Sequence, residues 1–291
     1  MLASKPKDMI VTPLDNRDFQ QIQSFLYNHC GISMAPTKKT LVATRLFRRL
    51  RHYGLSSYGD YFALATRAGN GAELTLLIDS LTTNETYFFR EVDHFHFVEQ
   101  LLTREKRTTP WRVWSGASSS GEEVFSLAMT LADQLGLHNE WRVHGSDLSS
   151  KVLALADEGL YPMARNDGIG LERLKKYCLK GVCDQQGCFK IASKLRRHVS
   201  FSQRNLMQPE TDGRSYDIIF LRNVLIYFNK QSKQQVINQV LKQLRPGGYF
   251  FISHTETLFG IEHGLEQITS SVFRKPRAPT VPLLSVKMHA G

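Results

Sequence analysis

The sequence predicts a doubly wound α/β domain with a mostly parallel sheet, led by a small helical bundle and carrying a short antiparallel β insertion. Three observations predict it. From residue 111 onward, short β-branched and aromatic runs alternate with amphipathic helical patterns, as strands joined by right-handed helical crossovers do. Before residue 82, apolar residues recur only at helical spacing. Between the first strand and its helix stands the small-residue turn Gly116-Ala-Ser-Ser-Ser-Gly121-Glu122-Glu123, and the next strand ends on Asp147. That turn sits at the carboxyl end of the sheet, where such folds bind ligands. Gly116, having no Cβ, is expected to let the backbone approach one.

The elements follow in order. Asp15 caps a helix carrying Phe19, Ile22, Phe25 and Leu26, which Gly31 breaks. The next helix carries Leu41, Val42, Leu46, Leu50 and Tyr53 on one side and Arg45, Arg48, Arg49 and His52 on another face, and Gly54 closes it. Ser57 caps a third helix through Tyr58, Tyr61, Phe62 and Leu64, and a fourth covers Ala72 to Leu81. Strands are expected at 112–115, 142–146, 198–202, 216–221 and 249–254, with helices at 122–135, 149–158 and 231–244. Residues 163–197 interrupt the alternation with a helix near 170–178 and a hairpin, Tyr177 to Gly181 against Gly187 to Ile191. A last strand near Ile268 to Phe273 runs antiparallel at the edge. The expected organisation is a helical domain at 12–82, an α/β domain at 83–275 with a β insertion at about 175–197, a loose leader at 1–11 and a mobile tail at 276–291.

Composition narrows the partners. The 291 residues hold 37 Lys and Arg against 27 Asp and Glu, a formal charge of +10. Such a balance invites a polyanion: nucleic acid, an acidic membrane surface or an acidic protein. The three arginines of the second helix, with almost no acid between them, read either as a docking ridge or as a solvated face. No run of about 18 apolar residues exists, so no membrane span is expected, and the N-terminus lacks the apolar core of a signal peptide. A cytoplasmic protein is the expectation. Cys178, Cys183 and Cys188 are spaced without a Cys-x-x-Cys pair, so no metal is expected there.

The turn argues against the commonest ligand of such a crevice. Ser118 stands where a dinucleotide fold places its second Gly, the one that admits a pyrophosphate. Glu122 and Glu123 open the helix at the positive end of its dipole, where a phosphate would otherwise sit. Two readings stay open. Either the pair serves only the dipole, or it selects a cationic or zwitterionic nucleoside, of which S-adenosylmethionine is one. Three further segments point at the same crevice: Leu81-Thr-Thr-Asn84-Glu-Thr86-Tyr-Phe-Phe-Arg90, Gln203-Arg204-Asn205-Leu206, and Phe220-Leu-Arg222-Asn223-Val-Leu-Ile-Tyr227-Phe228. The turn Arg245-Pro-Gly-Gly248 before a strand is a habit of class I methyltransferases.

Taken in order, Thr-Asn-Glu-Thr-x-Phe-Phe-Arg, the Trp-Ser-x-Ala-x-Ser-x-Gly-Glu-Glu turn, Asp147, and Arg-Asn-Val-Leu-Ile-Tyr-Phe resemble the CheR family of chemoreceptor glutamate O-methyltransferases. The resemblance runs from the helical bundle to about Lys275. Departures are Gly116 for a commoner Ala, Val124 for a Pro, and Ser253-His-Thr-Glu256 for Gly-His-Ser-Glu. The resemblance implies a class I methyltransferase fold, S-adenosylmethionine as donor and S-adenosylhomocysteine as product. It places Asn84, Thr86 and Arg90 at the donor's amino-acid end and the reaction centre, Glu122 at the methionyl amino group, and Asp147 at the ribose. Asn205 and Leu206 would flank the adenine, while Arg222 and Asn223 close the pocket. Arg90 and Tyr227 become the candidates for orienting the acceptor, and Arg45, Arg48 and Arg49 for docking acidic receptor helices. The hairpin resembles the small β-subdomain that, in some members, grips a receptor's C-terminal peptide.

The chemistry implied is modest. An acceptor glutamate is ionised at neutral pH and is already a nucleophile, so alignment and dehydration are the tasks, and positioning alone supplies about 7–11 kcal/mol. Arg90 is therefore expected to position and Tyr227 to donate a hydrogen bond. Two other readings compete. A nucleic-acid methyltransferase fits the charge but lacks the Asn/Asp-Pro-Pro-Tyr/Phe segment, for which Arg222-Asn-Val-Leu stands instead. A non-catalytic receptor adaptor fits poorly with intact Asp147, Glu122 and Arg90.

Overall fold

The computed structural model describes residues 11–209 and 213–277. The expected leader and tail lie outside the described residues, save Val11, Pro276 and Arg277.

Four helices build the first domain: α1 (Asn16–Cys30), α2 (Lys39–Tyr53), α3 (Tyr58–Thr66) and α4 (Gly71–Leu81). Their ends are set locally. Asp15 accepts the Asp18 N–H at 2.7 Å, Ser57 accepts that of Asp60, and Gly31 and Gly54 end α1 and α2 in the left-handed region that glycine enters at little cost. Phe19, Ile22, Leu26, Val42, Leu46, Leu50 and Leu77 form one core.

A helix not expected from the sequence follows, α5 (Asp93–Arg104), which buries Phe95, Val98, Leu101 and Leu102. The chain then runs β1 (Trp111–Gly116), α6 (Glu122–Leu135), β2 (Trp141–Asp147), α7 (Ser150–Glu158), β3 (Leu160–Pro162), α8 (Leu171–Tyr177), β4 (Cys178–Lys180), β5 (Cys188–Ile191), α9 (Ser193–Arg196), β6 (Val199–Gln203), β7 (Tyr216–Phe220), α10 (Lys230–Lys242), β8 (Leu244–Phe251), β9 (Glu266–Gln267) and β10 (Val272–Arg274).

The large sheet has the order β6-β2-β1-β7-β8-β10-β9. The first five strands are parallel, and β10 and β9 close the edge antiparallel. The chain moves outward from β1 to β6, then returns to β7, so the strand order reverses between β1 and β7. A crevice forms at that switch point, outside the carboxyl ends of the strands. β8 starts earlier than the sequence suggests and absorbs the Arg-Pro-Gly-Gly turn. Any side chain at Gly248 would lie 2.9 Å from the carbonyls of Arg245 and Asp217.

The β insertion is a three-stranded antiparallel sheet, β3-β5-β4. The expected hairpin is there, but β3 joins it through Tyr161 opposite Phe189. The insertion thus begins near residue 160 rather than 175. Three residues ending in Pro162 carry no readable strand pattern.

Candidate active site

The turn after β1 is held in a shape that most side chains resist. Ala117 and Ser119 have φ of 58° and 49°, and such left-handed residues cost energy unless their surroundings fix them. Here the Ser118 N–H donates to the Ser146 carbonyl, the Ser119 N–H to Asp147 Oδ2 at 2.8 Å, and the Ser119 hydroxyl to the Asn84 carbonyl. Asp147 thus braces the turn from the tip of β2. Its other oxygen accepts from the Ser149 N–H at 2.9 Å. Burial raises its pKa, outweighing those two N–H groups, and it still borders the open crevice.

Two expectations about this turn are corrected. Gly116 does not face a ligand: it is buried, and a Cβ there would meet Leu221 Cδ1 at 2.9 Å. The close approach serves strand packing, and Ala117, Ser118 and Ser119 border the crevice instead. Glu122 does not reach the crevice either. It is fully buried, taking the Ser120 hydroxyl at 2.7 Å and Arg165 Nη1 at 2.5 Å. Successive helical residues point about 100° apart, so only one of the pair can face the opening, and that one is Glu123. Its carboxylate accepts from Ser115 Oγ at 2.7 Å and lies 3.6 Å from Arg222 Nε. Burial raises the pKa of both glutamates, against the pull of Ser120 and Arg165 on one and of Arg222 and Ser115 on the other.

Arg222, just past β7, has a fully buried side chain. Nη2 donates to the Arg90 carbonyl at 2.5 Å, whereas Nε and Nη1 make no hydrogen bond among the described residues. Asn223 follows in the left-handed region, φ 57°. Glu256 holds it there: the carboxylate accepts from the N–H groups of Asn223 (3.0 Å), Ser253 (2.9 Å) and Leu225 (2.7 Å). Sequence reasoning gave Glu256 no role. A carboxylate two residues beyond a strand-end His was its one visible sign.

The other expected residues converge here. Thr86, Asn84, Arg90, Asn205, Leu206 and Tyr227 all border the same cavity of about 520 Å³, a volume within the range of small-molecule sites. Arg90 donates to the Glu85 carbonyl and lies over the Tyr87 ring. Asn205 has part of its amide committed, donating to the His29 carbonyl at 2.6 Å and accepting the Met207 N–H.

The helical domain roofs the cavity with Met34, Lys38 and Leu41, which nothing in the sequence signalled. It is fastened to the rim by an Ile32–Phe228 bridge and by the Ser33 N–H on the Tyr227 carbonyl. The expected docking ridge is corrected in part. Arg45 points into this seam, donating to the carbonyls of Leu81 and Thr82 and to Thr83 Oγ1. Arg49 is consumed by a two-point pair with buried Glu73. Both carbonyls and carboxylate lie on α4 or its end, so the α2 face packs inward there. Arg48 alone of the three is exposed.

The description "CheR methyltransferase, SAM binding domain" matches residues 84–274, and "CheR methyltransferase, all-alpha domain" matches residues 17–82. The chain belongs to the CheR methyltransferase family. Relatives include the chemotaxis protein methyltransferase of Salmonella typhimurium, 36% identical over 84% of both chains. The Escherichia coli protein of that name is 36% identical over 86% of this chain and 87% of its own. Chemotaxis protein methyltransferase 2 of Pseudomonas aeruginosa is 37% identical over 88% and 92%. Among solved structures, a glycopeptide N-methyltransferase complexed with S-adenosyl-L-methionine is similar at a TM-score of 0.34 and 16% identity, over 59% of this chain and 58% of that one. The sheet is that of a class I methyltransferase, and the α/β domain of this CheR-family chain binds S-adenosylmethionine. No helix among the described residues is long and apolar enough to cross a membrane.

Proposed function

We propose that this CheR-family protein methylates glutamate side chains of methyl-accepting chemoreceptors, forming methyl esters, and does so in the cytoplasm. The observation that carries the reading is the meeting of Asp147, Glu123 and Arg222 around one crevice beneath the helical roof. A zwitterionic nucleoside fits these groups. Asp147 would accept from the ribose hydroxyls. Glu123, rather than Glu122, would face the ammonium, and Arg222, with two nitrogens lacking hydrogen bonds, and Arg90 would face the carboxylate. Leu206 and Asn205 would flank the base, and Asn223 would close the pocket.

The bound donor supplies an electrophilic methyl on a sulfonium. The protein's residues then have three tasks. Asn84, Thr86 and Arg90 border the opening and would orient the incoming carboxylate. Tyr227 would donate a hydrogen bond to it. Its charge falls as the new C–O bond forms, so a tight arginine clamp would slow the reaction; Arg90, held by the Glu85 carbonyl and the Tyr87 ring, is suited to positioning. The roof residues would keep water from the acceptor oxygen. Arg48 remains to meet an acidic receptor helix, with the β insertion as the surface for a receptor tail.

The test is incubation with tritiated methyl donor and chemoreceptor-bearing membranes. Base-labile, volatile label on the receptor is expected. Alkali-stable label, or label on RNA that vanishes steeply with salt, would replace this reading with a nucleic-acid or amine acceptor.

A further inference from the structure

Glu91 and His94 flank the start of α5, His254 follows β8, and Ser271 precedes β10. Their side chains meet. Ser271 Oγ lies 2.7 Å from His94 Nε2 and 3.1 Å from His254 Nδ1. The two rings stand 4.5 Å apart. Their remaining nitrogens, His94 Nδ1 and His254 Nε2, approach the same oxygen, Glu91 Oε2, at 3.6 and 4.0 Å. His94 is only 2% exposed, and its Nδ1 makes no hydrogen bond among the described residues.

Proton counting shows what is missing. The Ser271 hydroxyl has one proton, so it donates to one ring and accepts from the other. The ring that donates through its outer nitrogen carries, when neutral, no proton on the inner one. With both rings neutral and both Ser271 hydrogen bonds made, one lone pair then faces the Glu91 carboxylate. A metal ion between the three atoms removes that conflict, as does a proton on one ring; a zinc titration tells the two apart. Arg222 Nη2 is 3.6 Å from the same Glu91 oxygen, and its hydrogen bond goes to the Arg90 carbonyl.

We propose that Glu91, His94 and His254 form a binding site for a divalent transition-metal ion of the zinc class, with Ser271 orienting both rings. The three ligand atoms all lie within 4.8 Å of one another. A point equidistant from them is at most about 2.5 Å from each, so an inward shift of about 0.4 Å reaches zinc–nitrogen and zinc–oxygen bond lengths. Two imidazoles and one carboxylate favour zinc or its neighbours over magnesium or calcium, which take oxygen shells. A metal-bound histidine usually donates its other ring N–H to an acceptor, and Ser271 Oγ, with two lone pairs, lies within reach of both rings' outer nitrogens. The ion would tie the chain before α5 to the loop whose Glu256 shapes the rim.

The test uses full-length, tag-free protein stripped with chelator and titrated with zinc chloride by calorimetry, with cobalt(II) absorption as a second readout. One equivalent is expected to bind with a Kd of about 1 µM or tighter. His254→Ala, at a half-exposed position, should weaken binding at least tenfold, and Ser271→Ala about tenfold, with unchanged far-ultraviolet spectra. Binding weaker than about 100 µM, or equal affinity in wild type and His254→Ala, overturns the proposal; the second result would place the ion elsewhere, for example on exposed Cys183.

Discussion

Two carboxylate clusters, one in each domain, set the chemistry of this protein apart from its architecture. In the helical domain, Glu73 is nearly buried and accepts four hydrogen bonds: two from Arg49 and one each from Tyr53 and Tyr61. Burial alone would raise its pKa, but those donors together lower it. At the sheet's rim the balance reverses. Asp147 and Glu123 are raised by burial despite their donors, and the neighbouring Arg222 keeps two nitrogens without hydrogen bonds. A saturated cluster fastens helices together. An undersaturated one, held open beside a cavity, has capacity left for a ligand.

That contrast can be broken most forcefully at Glu73. Replacing it with Ala strands Arg49 and should destabilise the fold by about 3 kcal/mol, read by urea denaturation, while donor affinity of the folded protein stays unchanged. Loss of donor binding there would erase the distinction. Next in size, Asp147→Ala should weaken S-adenosylmethionine binding on the order of 100-fold by calorimetry, since charged hydrogen bonds are worth about 1.5–3 kcal/mol each. Glu123→Gln should cost about tenfold in the same measurement, whereas Glu122→Gln should lower the melting temperature and leave donor affinity nearly intact. The reverse ranking would restore Glu122 as the facing residue.

Acid sharpens the comparison with opposite signs. The folded pKa of Glu73 is depressed, so its stabilisation is complete above its ordinary value of 4.5 and fades as pH falls through the lower folded value. The stability gap between wild type and Glu73→Ala should therefore shrink in that acid window. Glu123 is raised, so it protonates above 4.5 and donor affinity should begin to fall there; Glu123→Gln should flatten the profile. Smallest of all, Arg48→Ala should raise the KM for receptor membranes about twofold to fivefold, the scale of an exposed charge pair, without touching donor affinity. No change would remove α2 from the docking surface.

Much of this was legible before the structure. Asp15, Ser57, Gly31 and Gly54 mark helix ends through purely local chemistry, and Asp147 at a strand tip follows from the period of the sheet. What stayed hidden depends on distant partners. Whether Glu122 or Glu123 faces the opening is a matter of how α6 is rotated on the sheet. Arg49 looked like a surface charge because Glu73, its partner, lies 24 positions away. Gly116 read as a ligand contact because the sequence does not show Leu221 filling the space beside it. β3 is too short to carry a pattern, and α5 was obscured by the polar and aromatic residues that precede it.

The seam at Arg45 has one more consequence. Its guanidinium clasps the chain where the bundle gives way to the sheet domain, within one turn of exposed Arg48 and within reach of the cavity. A lever and its pivot therefore share a single rod, α2. A macromolecule resting on the outer surface of that rod would touch the same element whose inner side borders the small-molecule cavity.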